Sequence, residues 1–256
     1  MPNISYGRIL SILKEANIQI RDTSYTSKKY NCNDSYFDVI DTPEKAYWIG
    51  FLYADGYLTK RTGSNSVGIT ISNEDIQHLY KFKSAVQFTG DINTYTSFKG
   101  FQQEGVPYSR ISIISQHMCD SLERNGMYYN KSGIIKFPTD EQVPTRFHSH
   151  FIRGYFDGNG CLTHGSVHEH KVTQYKVSIC STHEMLRGIE KCFELKQLHA
   201  LYKRHKNDVN NYSLDIGGNK QVVNILNYLY ANATVYLDRK YEKYLSYLQY
   251  VNSRSG

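Results

Sequence analysis

The chain has 256 residues, a formal net charge of +6 and 23 tyrosines. That is enough for one large domain or two small ones, and the positive charge permits nucleic-acid binding without demanding it. No apolar run reaches the roughly 18 residues of a membrane helix, and Met1-Pro2-Asn3-Ile4-Ser5 lacks the basic and apolar regions of a secretory signal. Cys32, Cys119, Cys161, Cys180 and Cys192 follow neither a disulfide framework nor a zinc spacing. They read as free thiols, so the expected location is cytoplasmic and not secreted.

Ile4 to Ala16 reads as a short amphipathic helix, with Ile4, Ile9, Leu10 and Leu13 near one face. Arg21 to Ser35 is polar and basic. It reads as an extended arm, the remnant of a helix-turn-helix, or a surface extension resting on the core. Residues 1–41 are assigned to an N-terminal extension. Thr42-Pro43-Glu44 starts a helix, with Thr as N-cap, Pro at the first position and an acid in the first turn. The helix runs to Gly56. Strands follow at Tyr57 to Arg61 and Ser66 to Ser72. In the second, Val67, Ile69 and Ile71 alternate with Ser66, Gly68, Thr70 and Ser72, the period of a sheet with one buried face. A helix from Ser72 to about Val86, a hairpin (Asp91 to Ser97, Tyr108 to Ser115) and a helix from Gln116 to Asn125 complete residues 42–143.

Residues 144–256 repeat this order. Pro144 opens a helix ending at Gly160, and strands lie at Cys161 to His164 and Lys171 to Cys180. Ser181-Thr182-His183-Glu184 reads as a capping box before a helix to Leu195. Strands near Leu198 to Lys203 and Tyr212 to Ile216 precede a helix from Asn219 to Tyr230. A last helix, Arg239 to Tyr250, is placed on the outside. The expected fold is α+β, a duplicated αββαββα with two antiparallel sheets.

Each repeat begins with a similar stretch. The first is Trp48-Ile49-Gly50-Phe51-Leu52-Tyr53-Ala54-Asp55-Gly56; the second is Ile152-Arg153-Gly154-Tyr155-Phe156-Asp157-Gly158-Asn159-Gly160. Gly50 and Ala54, like Gly154 and Gly158, stand four apart on one helix face. Small residues at that spacing let two helix backbones approach closely. Packed so, the helices bring Asp55 and Asn159 together, at a position where a metal could sit.

These two stretches resemble the LAGLIDADG motif, and the chain resembles a single-chain LAGLIDADG homing endonuclease from about Thr42 to Tyr247. The resemblance implies a pseudo-two-fold protein whose sheets form a saddle on DNA, with the motif helices at its centre. It implies site-specific phosphodiester cleavage with Mg²⁺, or another divalent cation such as Mn²⁺ or Ca²⁺. One acid at the end of each motif helix binds metal, helped by the preceding carbonyl: Asp55 with Ala54, and Asn159 with Gly158. Asn159 departs from the pattern, since an amide offers a neutral oxygen. Asp157 lies about 200° round the helix and is a poor substitute. A nicking enzyme, a protein that binds without cutting, and an Asp→Asn variant made to trap an uncut complex all remain open. The resemblance also places a cation after the last helix of each repeat, which Lys131 and either Arg239 or Lys240 match.

Strand alternation then gives the DNA-facing candidates: Tyr57, Thr59, Arg61, Thr70, Ser72, Arg110, Ser112, Thr163, Lys176, Ser178, Asn211 and Ser213. The expected partner is a long, non-palindromic duplex bound by a monomer, with no membrane. The rival function on the same fold is a non-cleaving nucleic-acid-binding protein, either an intron RNA maturase or a transcriptional regulator.

Overall fold

The computed structural model describes residues 6–16, 18, 29–61, 64–98, 104–167, 172–195, 197–207 and 209–253. The chain forms two compact units, Met1–Asn31 and Cys32–Gly256. The first contains helix α1 (Tyr6–Glu15), which carries Lys14 in its last turn. Most of the polar, basic segment expected as an arm lies outside the described residues. The larger unit begins ten residues before the expected boundary at 41/42, because Phe37 and Ile40 are buried in it. Asn33 also donates its backbone N–H to the Val86 carbonyl at 2.8 Å.

Helix α2 (Pro43–Asp55) starts as its sequence dictates: Thr42 Oγ1 accepts from Lys45 N, and Pro43 opens the first turn. It leads directly into β1 (Gly56–Thr59), β2 (Ser66–Ser72), α3 (Ile76–Ala85), β3 (Asn93–Ser97), β4 (Val106–Ile114) and α4 (Gln116–Arg124). The second repeat has α5 (His148–Asn159), β5 (Gly160–Val167), β6 (Val172–Ser181), α6 (His183–Phe193), β7 (His199–Lys203), β8 (Tyr212–Ile216) and α7 (Asn219–Tyr230). Helix α8 (Asp238–Asn252) closes the chain.

Each repeat builds one antiparallel sheet, in the orders β1-β2-β4-β3 and β5-β6-β8-β7. Registers such as Ile69↔Ile111 and Ile179↔Leu214 align the apolar residues, so one face of each sheet is buried under helices. The other face is open and carries the polar half of the alternation.

Several details differ from the sequence reading: β1 ends at Thr59 rather than Arg61, and β5 runs on to Val167 rather than ending at His164. Helix α6 is capped one residue later than expected, by Thr182, whose Oγ1 accepts from Met185 N and donates to the Ile135 carbonyl. That shift moves Glu184 out of the capping-box position, and it pairs with Lys136 instead. Helix α8 is more than an outer layer. Tyr244 and Tyr247 are buried, and the Tyr247 ring sits 3.9 Å from that of Tyr175 on β6.

The motif helices α2 and α5 form the core contact, at a separation that glycine alone permits. A methyl group added at Gly50 would lie 2.0 Å from the Phe151 carbonyl oxygen. One added at Gly154 would lie 2.0 Å from that of Tyr47 and 2.8 Å from Phe51 N. Backbone cannot yield as a side-chain tip can. Gly154→Ala is therefore expected to cost about 3 kcal/mol in denaturant unfolding. Gly165→Ala, where nothing lies within 4 Å, should stay within about 0.5 kcal/mol. Equal losses at the two sites would contradict this packing.

Candidate functional site

Asp55 and Asn159 are the final residues of α2 and α5. The helix contact continues to this end: a methyl group at Gly158 would lie 2.3 Å from Ala54 Cβ and 3.1 Å from Asp55 Oδ2. Burial raises the pKa of Asp55, opposed by the positive charges of Lys240, Lys131 and Arg239. Asn159 donates from Nδ2 to Tyr155 Oη at 3.1 Å, and that hydroxyl donates to Ser181 Oγ at 2.6 Å.

Two lysines close the helix ends, one from each repeat. Lys131 Nζ donates to the Ala54 carbonyl at 2.8 Å. Lys240 Nζ donates to the Phe156 and Gly160 carbonyls, each at 2.6 Å. Late carbonyls of a helix lack partners within it, and a cation there complements the helix dipole. Burial lowers both lysines to a pKa of about 8, partly offset by Asp55 beside Lys131 and by Asp157 and Asp55 near Lys240. Between the two cations that sequence left open for the second repeat, Lys240 reaches the motif helix. Arg239 instead binds both oxygens of Asp75, at 3.0 and 2.9 Å.

Behind this end lies a buried carboxylate. Asp157 accepts from Tyr47 Oη at 2.7 Å, Tyr230 Oη at 2.5 Å and the Leu237 backbone N–H at 2.8 Å. It faces away from Asn159, as helix geometry requires. Leu237 is the N-cap of α8, so this bond fixes the turn from which Lys240 reaches Gly160. Arg153 is fully buried and supports the same turn, donating to the Val235 and Leu229 carbonyls. Neither role is visible in sequence, because the partners come from separate elements.

A cavity of about 550 Å³ opens beside the helix ends, lined by Lys131, Asn159, Tyr155, Ser181 and Asn211 among others. Asn211 therefore sits at the cavity, just before β8. On the first sheet Tyr57, Thr59, Thr70, Ser72, Arg110 and Ser112 share the open face, and exposed Arg61 follows β1. The Tyr57 ring covers Gly68, where an added methyl would meet it at 2.4 Å. On the second sheet Thr163, Lys176 and Ser178 share the open face. Ser213 lies on that face too but is 4% exposed. It is covered because it donates to Asp215 and stands opposite Tyr202, which corrects its assignment as a contact residue. Sequence reading missed Asn93, Tyr95 and Tyr108, which extend the first open face through β3 and β4. Arg110 lies over the Tyr95 ring at 5.9 Å. Alternation continued from Arg110 would have found Tyr108.

A hard divalent cation takes oxygen ligands. Among the described residues no group of three or more His, Cys, Asp or Glu converges. The oxygens at the helix ends include the Asp55 carboxylate, the Asn159 amide oxygen and the backbone carbonyls of Ala54 and Gly158, of which that of Ala54 is engaged by Lys131. This set fits one cation at Asp55 and lacks the charge for a second at Asn159.

No family model and no curated protein matches the chain. Solved structures do. The I-LtrWI LAGLIDADG homing endonuclease bound to target DNA superposes with a TM-score of 0.57 at 10% identity, covering 87% of this chain and 92% of that one. The LAGLIDADG homing endonuclease I-GzeII in complex with its DNA target gives 0.53 at 12% identity, covering 84% and 92%. The meganuclease I-SmaMI bound to uncleaveable DNA gives 0.54 at 11% identity, covering 81% and 89%. The chain has the fold of the LAGLIDADG homing endonucleases.

With lysine side chains labelled for NMR, Lys131 and Lys240 should titrate near pH 8. Both are pushed below the unfolded value, so protons leave the folded state first. Their contribution to stability should therefore rise between about pH 8 and 10.4. Asp55→Asn removes the charge that holds Lys131 up and should lower its midpoint. An unmoved Lys131 midpoint would contradict the pairing.

Proposed function

We propose that this chain is a site-specific duplex-DNA endonuclease whose centre retains one acid. In this reading it acts as a monomer on a long, non-palindromic duplex and cuts the strand served by Asp55, with Mg²⁺ or a similar divalent cation. The observation that carries the reading is the asymmetry of the centre. Asp55 is kept among Lys131, Lys240 and Arg239, whereas the matching residue is Asn159. The fold supports the duplex partner, since the structures it resembles include homing endonucleases bound to DNA.

The open faces of the two sheets supply binding. Their hydroxyl, amide and basic side chains suit base edges and phosphates. A divalent cation held at the helix ends would supply charge neutralisation and water activation. Asp55 would hold it as a carboxylate. Lys131 and Lys240 stay mostly protonated at pH 7, given values of about 8. Their part is then to stabilise charge developing on the phosphate rather than to accept a proton. The cavity beside Lys131 and Asn159 gives the backbone room to enter.

The non-cleaving reading draws on two observations: the neutral Asn159, and the Lys131 bond to the Ala54 carbonyl. Strand-resolved cleavage separates the two. Duplexes selected by binding are incubated with Mg²⁺ and this chain, its Asn159→Asp variant or its Asp55→Asn variant. The expected products are a nick, a double-strand break and no product. An Asn159→Asp protein that leaves both strands of a tightly bound site intact would overturn the endonuclease reading.

A further inference from the structure

Among the described residues, the eight strands of the two sheets carry one acidic residue, Asp215 of β8. It lies on the open face of the second sheet, opposite Ser178 of β6 and Ala200 of β7. Its Oδ2 accepts from Lys176 Nζ at 2.9 Å and from Tyr202 Oη at 3.0 Å, and its Oδ1 accepts from Ser213 Oγ at 2.8 Å. Burial acts to raise its pKa, but the bonds from Lys176 and Ser213 outweigh this, so it stays ionised. The Asp215 side chain is 17% exposed and that of Lys176 is 50% exposed. The carboxylate is thus held in place while the ammonium keeps room to move.

On a surface that meets polyanionic DNA, a fixed carboxylate cannot contact phosphate. It also cancels the charge of the lysine beside it, which weakens that lysine as a phosphate binder. A carboxylate does fit a base amino group in the major groove. The pair presents an acceptor and a donor 2.9 Å apart. In a C·G pair, cytosine N4–H and guanine O6 are bonded to each other at about the same separation. They present the complementary donor and acceptor side by side. Asp215 then accepts from cytosine N4, and Lys176 donates to guanine O6 and N7. An A·T pair fits worse: adenine N7 turns a lone pair toward the carboxylate, and thymine offers the lysine one acceptor and a methyl group.

Resting on the DNA-binding reading above, we infer that Asp215 and Lys176 together are a specificity-determining pair that reads one C·G base pair, with cytosine at Asp215. The Tyr202 and Ser213 hydroxyls hold the carboxylate for that contact.

The test is selection of bound duplexes from a random library by this chain, Asp215→Ala, the isosteric Asp215→Asn and Lys176→Ala, with melting curves to establish folding. This chain should prefer C·G at one position in the second half-site by about tenfold over other pairs. Both Asp215 variants should reduce that preference below about twofold and leave the other positions unchanged. Lys176→Ala should weaken the same position without flattening the salt dependence of binding, whereas loss of a phosphate contact lowers that slope by about one. If the Asp215 variants enrich the same sequence with affinity lowered uniformly, the inference is overturned and the DNA-binding reading stands. Failure of this chain to enrich any duplex overturns both.

Discussion

The structure depends on one close approach. Helices α2 and α5 meet where Gly50 faces the Phe151 carbonyl and Gly154 faces the Tyr47 carbonyl. No side chain fits between them, so each helix rests on the backbone of the other. This contact fixes the register of the two repeats and brings the last turns of both helices to one point. Each helix runs straight into the first strand of its own sheet, at Gly56 and Gly160. The position of each sheet therefore follows from the helix that precedes it. Loosening the pair would move the helix ends and both open faces together.

The two repeats share this frame yet differ where chemistry would occur. In the first, Lys131 engages the carbonyl just before the acid, Asp55. In the second, Lys240 engages the carbonyls of Phe156 and Gly160, around an amide residue. The second arrangement is tied down by Asp157, which holds the start of α8 through Leu237 N–H. The position matching Asp157 in the first repeat is Tyr53, whose hydroxyl donates to the Asn125 carbonyl. The same place in the helix thus anchors a following segment in both repeats, by opposite polarity of hydrogen bond. The two repeats share one scaffold, and separate side chains complete each half.

Much of this was legible in the sequence because it depends on spacing. Small residues four apart marked the helix contact, alternation in Ser66–Ser72 marked a buried face, and Thr42-Pro43 marked a helix start. These are signals carried by a few adjacent residues. What was not legible depends on residues distant in the chain. The choice of Lys240 over Arg239 follows from Asp75 capturing Arg239. The burial of Ser213 follows from Tyr202 and Asp215. Asp157 read only as a poor ligand, since its partners Tyr47, Tyr230 and Leu237 come from three other segments. Asp215 was open to notice, as an acid set among alternating strand residues, but its meaning needed Lys176 across the sheet.

The central claim is that two sheets, joined through one helix pair, act as a single surface for one duplex. Hydroxyl-radical footprinting of the chain on its selected duplex tests this most directly. The account predicts two protected segments, one per repeat, flanking a short centre beneath the helix ends, with different sequences on the two sides. A single protected segment covering one side only, or protection indifferent to sequence, would contradict it.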